Sequence, residues 1–201
     1  PIPLYFWGNR NYIWLAVFMR HTLHIIPIGT SAITGDEEPI NNIVWKGRKR
    51  MDIPINSGWK FHLGDENEAF YKGFDDSGWE TVELPHDWSV SLPFDIRYSS
   101  GTGYLAGGTG WYRKHFTLEE DISQKHVYVT FGGVYKNSRV WINSNYLGTR
   151  PYGYSTFTYD ITDFIVPGEN VLAVRAEHND LADSRWFTGS GIYRDVTLAV
   201  K

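Results

Sequence analysis

The chain contains no cysteine. That absence removes disulfide scaffolds, thiolate-bound zinc, iron–sulfur clusters and thiol nucleophiles, and it leaves the compartment open. Long apolar runs are scarce as well. The most apolar stretch, Tyr12–Met19, is eight residues held between Arg10 and Arg20, whereas a membrane-spanning helix takes about 20. No segment sustains a helical hydrophobic period, which argues against a helical fold. Positive charge is in deficit, with a formal net charge of −4, so a general nucleic-acid binder is excluded. The seven histidines fall into no His-x-His, His-x3-His or HExxH spacing, and no metal site is expected from them. Those within strand-like segments, His62, His115 and His126, are expected to be structural. No glycine-rich phosphate loop precedes a helix, and Gly189-Ser-Gly191 is not a nucleophile elbow. The acid pairs Asp75-Asp76 and Glu119-Glu120-Asp121 suit solvated turns, so no catalytic residue is assigned.

What the chain has in abundance is aromatic residues, 16% of the 201, with 9 Trp, 13 Tyr and 11 Phe. Aromatic rings favour strands and also stack on flat ligands such as sugars. Charge divides the chain in two. Residues 1–50 carry six Lys/Arg against three Asp/Glu, whereas residues 51–201 carry 13 against 20. The basic run Lys46-Gly-Arg-Lys-Arg50 lies directly before Met51. It fits a localisation patch, or a purine-rich ribosome-binding site that has been translated, with Met51 the true start. Residues 1–50 are therefore expected to be a leader or translated upstream sequence, poorly ordered, ahead of one domain over 51–201. The compartment is open on the same ground: a cytoplasmic protein if Met51 is the start, a periplasmic or secreted one if residues 1–50 hold a signal.

From Met51 onward, strand patterns recur every eight to fifteen residues with turn residues between them. Alternation predicts strands at Trp59–Leu63, Thr81–Leu84, Trp111–Leu118, His126–Phe131, Arg139–Ile142, Thr156–Tyr159, Asn170–Glu177 and Tyr193–Val200. Asn143-Ser-Asn145 suits a hairpin tip, and Pro167-Gly168 a turn. The fold class is all-β, an antiparallel β-sandwich of jelly-roll type. Residues 89–110 carry little strand pattern, and a loop of that length in a compact domain is usually functional.

Two loop motifs stand out. Leu84-Pro-His-Asp-Trp88 places an acid and an aromatic at a strand exit. There Asp87 either accepts hydrogen bonds from sugar hydroxyls or caps its local turn. Asp183-Ser-Arg-Trp-Phe-Thr-Gly-Ser-Gly-Ile-Tyr-Arg-Asp-Val196 precedes the last strand, and there Arg185 is either a rigid fork toward a polar ligand or part of an internal salt bridge. Arg194 and Asp195 suit an internal salt bridge.

These motifs, in order with Trp59-Lys-Phe, Gly110-Trp-Tyr-Arg-Lys114, Phe131-Gly-Gly-Val-Tyr135, Val140-Trp-Ile-Asn143, Leu147-Gly148 and Pro151-Tyr-Gly-Tyr154, are similar to one known family. They resemble the N-terminal, galactose-binding-like domain of glycoside hydrolase family 2. The resemblance implies a sandwich beside Ig-like and (β/α)8 barrel domains, the barrel carrying two catalytic glutamates that cut β-linked sugars with retention. It implies that Asp87 and Arg185 contact the terminal sugar, a β-linked galactoside or related sugar, with Trp88 and Trp186 as accompanying aromatics. Several members carry aspartate where Arg185 stands, and some use it to hold sodium; arginine argues against that ion here, and no cofactor is expected. The fragment is not expected to hydrolyse sugars alone. A free-standing carbohydrate-binding module and a purely structural support domain are the rival readings. Ser144 departs from the usual glycine, at a cost of about 1 kcal/mol if the position needs positive φ.

Overall fold

The structure, a computed structural model, describes residues 52–118, 122, 124–179, 184 and 186–201, together with the backbone of four earlier strands. The chain divides into two compact units, Pro1–Glu38 and Pro39–Lys201. In the first, β1 (Leu4–Asn9), β2 (Tyr12–Met19) and β3 (Thr22–Ile28) form an antiparallel sheet with β2, the apolar run, at its centre. The expectation of poor order over residues 1–50 otherwise concerns positions outside the described residues. Among those described, no helix is long and apolar enough to cross a membrane.

The second unit is an all-β sandwich. One sheet is built from β4 (Asn42–Ile43), β6 (Trp59–Leu63), β7 (Glu80–Val82), β8 (Gly108–Leu118), β10 (Ser138–Ile142), β11 (Asn145–Arg150) and β13 (Glu169–His178), in the order β11-β10-β13-β8-β6-β7. The two-residue β4 pairs in parallel with the end of β8, and the other pairings are antiparallel. The facing sheet has four antiparallel strands in the order β12-β9-β14-β5, from β5 (Asp52–Pro54), β9 (Val127–Phe131), β12 (Phe157–Asp160) and β14 (Val196–Val200). All eight segments that alternation marks out lie on or against strands. β5 carries no such signal, because three residues are too few to show a period.

Alternation explains the layers. On β8, Tyr112, Phe116 and Leu118 point inward and meet Phe131, Val129 and Leu198 from the facing sheet. Each such side chain contributes about 1.5–3 kcal/mol on burial. The opposite face of β8 presents Trp111, Arg113 and His115, and residues 64–79 fold over it. There Trp111 stacks on Trp141 at 5.3 Å, beside Ala69 and Phe74.

Arg113 holds that cover in place and has no solvent exposure. Its Nε donates to Asp76 at 2.5 Å, and its remaining nitrogens donate to the carbonyls of Ala69, Tyr71, Lys72 and Phe74. His115 Nε2 lies 2.8 Å from the same Asp76 oxygen. Asp76 is thus a buried ion-pair partner and not the solvated turn acid that its sequence suggests. Burial on its own raises the Asp76 pKa, but hydrogen bonds from His115 and Arg113 outweigh it and leave the group lowered. Its hydrogen bond to Asp76 raises the His115 pKa.

The hairpin tip between β10 and β11 has positive φ at Asn143 and Ser144, 47° and 71°. The strain that serine meets there is offset, because its hydroxyl accepts from the Lys72 backbone N–H at 2.8 Å.

Candidate functional site

Two loops far apart in sequence are joined at one edge of the sandwich. After β7 the chain runs through Leu84–Trp88 beside Ser190–Ile192. His86 N–H donates to the Ile192 carbonyl at 2.8 Å, and Trp88 N–H donates to that of Ser190 at 3.1 Å. Gly191 in turn exchanges both backbone hydrogen bonds with Tyr135, each 2.8 Å. Only glycine fits at 191. Its φ is +120°, and a Cβ there would lie 2.2 Å from the Tyr112 hydroxyl and 2.8 Å from the His86 carbonyl. Beneath this ribbon the Tyr112 hydroxyl is 2.9 Å from His86 Nδ1. Burial lowers the His86 pKa and raises that of Tyr112 well above its ordinary value, so both are neutral at pH 7.

The ribbon fixes Asp87. Its Oδ1 accepts from the backbone N–H groups of Ser89 and Ser190, both at 2.9 Å, and from the Ser89 hydroxyl at 2.5 Å. It therefore caps the 3-10 turn Trp88–Ser91. Oδ2 is different: among the described residues it accepts no hydrogen bond, and it stands where a Cβ on Gly189 would come within 2.7 Å. Gly189, at φ +73°, leaves room for that oxygen, which a larger side chain would displace. Capping and ligand binding are thus compatible, because they use different oxygens. The three donors to Oδ1 are neutral, so none of them cancels the carboxylate charge.

The two tryptophans differ. Trp88 is 1% exposed and stacks on Phe61 at 5.9 Å, within the core. Its indole offers no face to a ligand, and its role is to anchor the segment that carries Asp87. Trp186 is 61% exposed, with its indole N–H donating to the Tyr154 hydroxyl at 2.9 Å. Tyr154 in turn lies edge-on to Tyr135 at 5.4 Å and to Tyr152 at 5.7 Å. His178 meets Tyr135 at 5.0 Å and places Nδ1 2.8 Å from Ser190 Oγ. Aromatic contacts and hydrogen bonds therefore run from the Asp87 ribbon to Trp186. The sequence holds the parts of this connection, in the motifs Phe131–Tyr135 and Pro151–Tyr154 and in the exposed Trp, but no spacing rule joins them. Arg185 lies outside the described residues.

A cleft of about 180 Å³ adjoins the ribbon, lined by Tyr98, Thr102, Leu105, His178 and Asn179. On the other side of Pro85, Tyr193, Arg194 and Asp195 line a shallow hollow. Arg194 packs over the Tyr193 ring at 5.2 Å, and Asp195 accepts from Asn56 at 2.9 Å, so each has its own neutral partner there. Among the described residues, no group of three or more acidic or histidine side chains is arranged to hold a metal ion.

A two-sheet β-sandwich that gathers a carboxylate fixed by one oxygen and a tethered, exposed indole at one edge has the build of a carbohydrate-binding domain. The chain belongs to glycosyl hydrolase family 2: the family's sugar binding domain matches residues 54–201. A β-galactosidase of Bacteroides ovatus is 46% identical over 155 residues, 76% of this chain and 18% of that protein. A protein of Formosa agariphila described as a putative β-glucuronidase is 42% identical over 154 residues, 75% of this chain and 15% of its own length. Among solved structures, a β-glycosidase from Bacteroides vulgatus superposes with a TM-score of 0.72 at 43% identity, over 75% of this chain and 20% of that one. The chain thus spans about a fifth or less of the length of these relatives.

Proposed function

We propose that residues 51–201 form the sugar-binding, jelly-roll domain of a retaining, β-galactosidase-like glycosidase. In that protein the domain orients the terminal sugar, while hydrolysis belongs to a barrel elsewhere in the longer polypeptide. The observation that carries this reading is the division of labour at Asp87: Oδ1 is occupied by the fold, and Oδ2 accepts no hydrogen bond among the described residues. Arg185 is assigned the second polar contact to the sugar, by resemblance. Galactose is preferred over glucuronic acid because Ser184-Arg185-Trp186 resembles galactosidases.

The test is a titration of the 201-residue chain with methyl β-galactoside and methyl β-glucuronide, followed by NMR. Asp87→Asn keeps an acceptor for the cap and removes the charge. A charge-assisted hydrogen bond contributes about 1.5–3 kcal/mol, so galactoside affinity is expected to fall about 10- to 150-fold. Unchanged affinity in that variant sinks the reading. Purified chain is expected to leave a nitrophenyl galactoside intact, and turnover would show that the catalytic groups lie within these 201 residues.

A supporting role against the rest of a longer protein is the second reading. It is favoured by the loop after Asp87, where Phe94 and Ile96 are 79% and 91% exposed. Large apolar side chains left that open mark a surface that another part of the protein covers.

A further inference from the structure

We infer that Trp186 is a stacking platform for the second sugar ring of the ligand, one residue beyond the sugar held by Asp87. The inference rests on the proposed sugar-binding role and assigns that site its outer half.

Three observations carry it. The first is the state of the indole. An exposed tryptophan ordinarily leaves its N–H to water and its ring free to turn, but here the N–H is bonded to Tyr154. The backbone is fixed as well, since the Ser184 hydroxyl donates to the Trp186 carbonyl and lies 3.4 Å from the Trp186 N–H. A ring held at its polar edge and bare on its apolar faces is ready to take a flat apolar surface without losing rotamer freedom on binding. The second observation is the support behind it. Tyr154 is itself wedged between Tyr135 and Tyr152, so the hydroxyl that receives the indole N–H has a fixed position.

The third is distance. Trp186 precedes Gly189 by three residues, and Gly189 lies against Asp87 Oδ2. Three residues span at most about 11 Å between α-carbons, so the segment that carries the indole also borders the Asp87 carboxylate. Trp88, the other tryptophan of the two motifs, is enclosed in the core and cannot serve. The chemical class that fits is a β-linked disaccharide end: a first ring with hydroxyls toward Asp87, and a second ring whose C–H face lies on the indole.

Saturation-transfer NMR on the 201-residue chain separates the possibilities, with methyl β-galactoside and lactose as probes. In the parent chain, protons of both lactose rings are expected to receive saturation. In Trp186→Ala the second-ring signal disappears and the first-ring signal stays. Lactose affinity falls about three- to ten-fold, the size of an aromatic contact, while that of methyl β-galactoside is unchanged. Tyr154→Phe, which frees the indole N–H, is expected to weaken the second-ring signal without removing it. Saturation confined to the first ring of the parent chain overturns the inference and leaves the Asp87 reading standing. Persistence of the second-ring signal in Trp186→Ala overturns it as well. Absence of saturation on both rings overturns both.

Discussion

Asp76 and Asp87 are eleven residues apart, both near the ends of short strands, and the fold holds them in opposite ways. Asp76 sits against Arg113 and His115 under the cover on the outer face of β8, where the buried Arg113 guanidinium neutralises it. Asp87 takes its hydrogen bonds on one oxygen, from two backbone amides and a hydroxyl, and among the described residues the other oxygen accepts none. A carboxylate serves the fold when its charge is cancelled inside the protein. On the proposed role of Asp87, it serves a ligand when the fold fixes it without cancelling that charge.

The pair can be broken most sharply with the same substitution at both positions. Asp76→Asn leaves the fully buried Arg113 guanidinium without its counter-charge. Uncompensated buried charges cost about 3–5 kcal/mol, and a loss of that size is expected in urea unfolding. Asp87→Asn keeps its cap acceptor and is expected to change stability by less than about 1 kcal/mol. Equal losses at the two positions would refute the contrast.

Next in size is Gly191→Ala. Its Cβ would collide with the Tyr112 hydroxyl and the His86 carbonyl. Overpacking of this kind costs about 1–3 kcal/mol, and because the ribbon carrying Asp87 must shift, sugar binding should be lost with it. A variant that is less stable but binds normally would show that the ribbon does not position Asp87.

A pH series sharpens the Asp76 side. The folded His115 pKa is raised above its ordinary 6.5 by Asp76. The stability it contributes is therefore complete below about pH 6.5 and fades as pH rises through the folded value. Asp76, lowered from 3.8, has its contribution in place above its unfolded value and loses it as pH falls through the folded one. The stability difference between the parent chain and His115→Gln is therefore expected to be largest in mild acid and to shrink toward alkaline pH. A flat difference across that range would exclude His115 from the network.

The smallest effect is expected at the hairpin tip. Ser144→Gly relieves positive φ, about 1 kcal/mol, and forfeits the bond to the Lys72 N–H, of comparable size. The net shift in unfolding free energy should be under about 0.5 kcal/mol, with faster amide exchange at Lys72. Unchanged exchange there would mean that the serine hydroxyl does not protect this amide.

These cases mark how far the sequence carries. Strands such as Asn170–Glu177 are legible because burial of one face imposes a period of two, and the structure moves their ends by only a residue or so. The last strand begins at Val196, not Tyr193, because Tyr193 and Arg194 turn aside to pack ring against guanidinium. Asp76 misleads because its partner stands 37 residues away, and no local pattern reports that separation. Asp87 is proposed through a resemblance, but the division between its two oxygens needs Ser190, 103 residues on. Trp88 and Trp186 look alike in sequence, each beside a polar residue in an irregular loop, where alternation gives no inside or outside. Only the packing of Phe61 against one and the reach of Tyr154 to the other tells them apart.

The ribbon that joins His86–Trp88 to Ser190–Ile192 also orders events in time. At its other end the domain closes in the same way, with β5 pairing with β14, Ile53 opposite Leu198. Contacts between segments more than 100 residues apart form slowly, because a large loop must close before they are rewarded. On a ribosome, Asp87 emerges early and waits for its own cap donor, Ser190, through the synthesis of most of the sandwich. Until then the carboxylate has only its neighbour Ser89, and the proposed sugar site does not exist as a shape. Recognition in this domain is therefore a late product of its own folding, completed when β14 and the loop before it arrive.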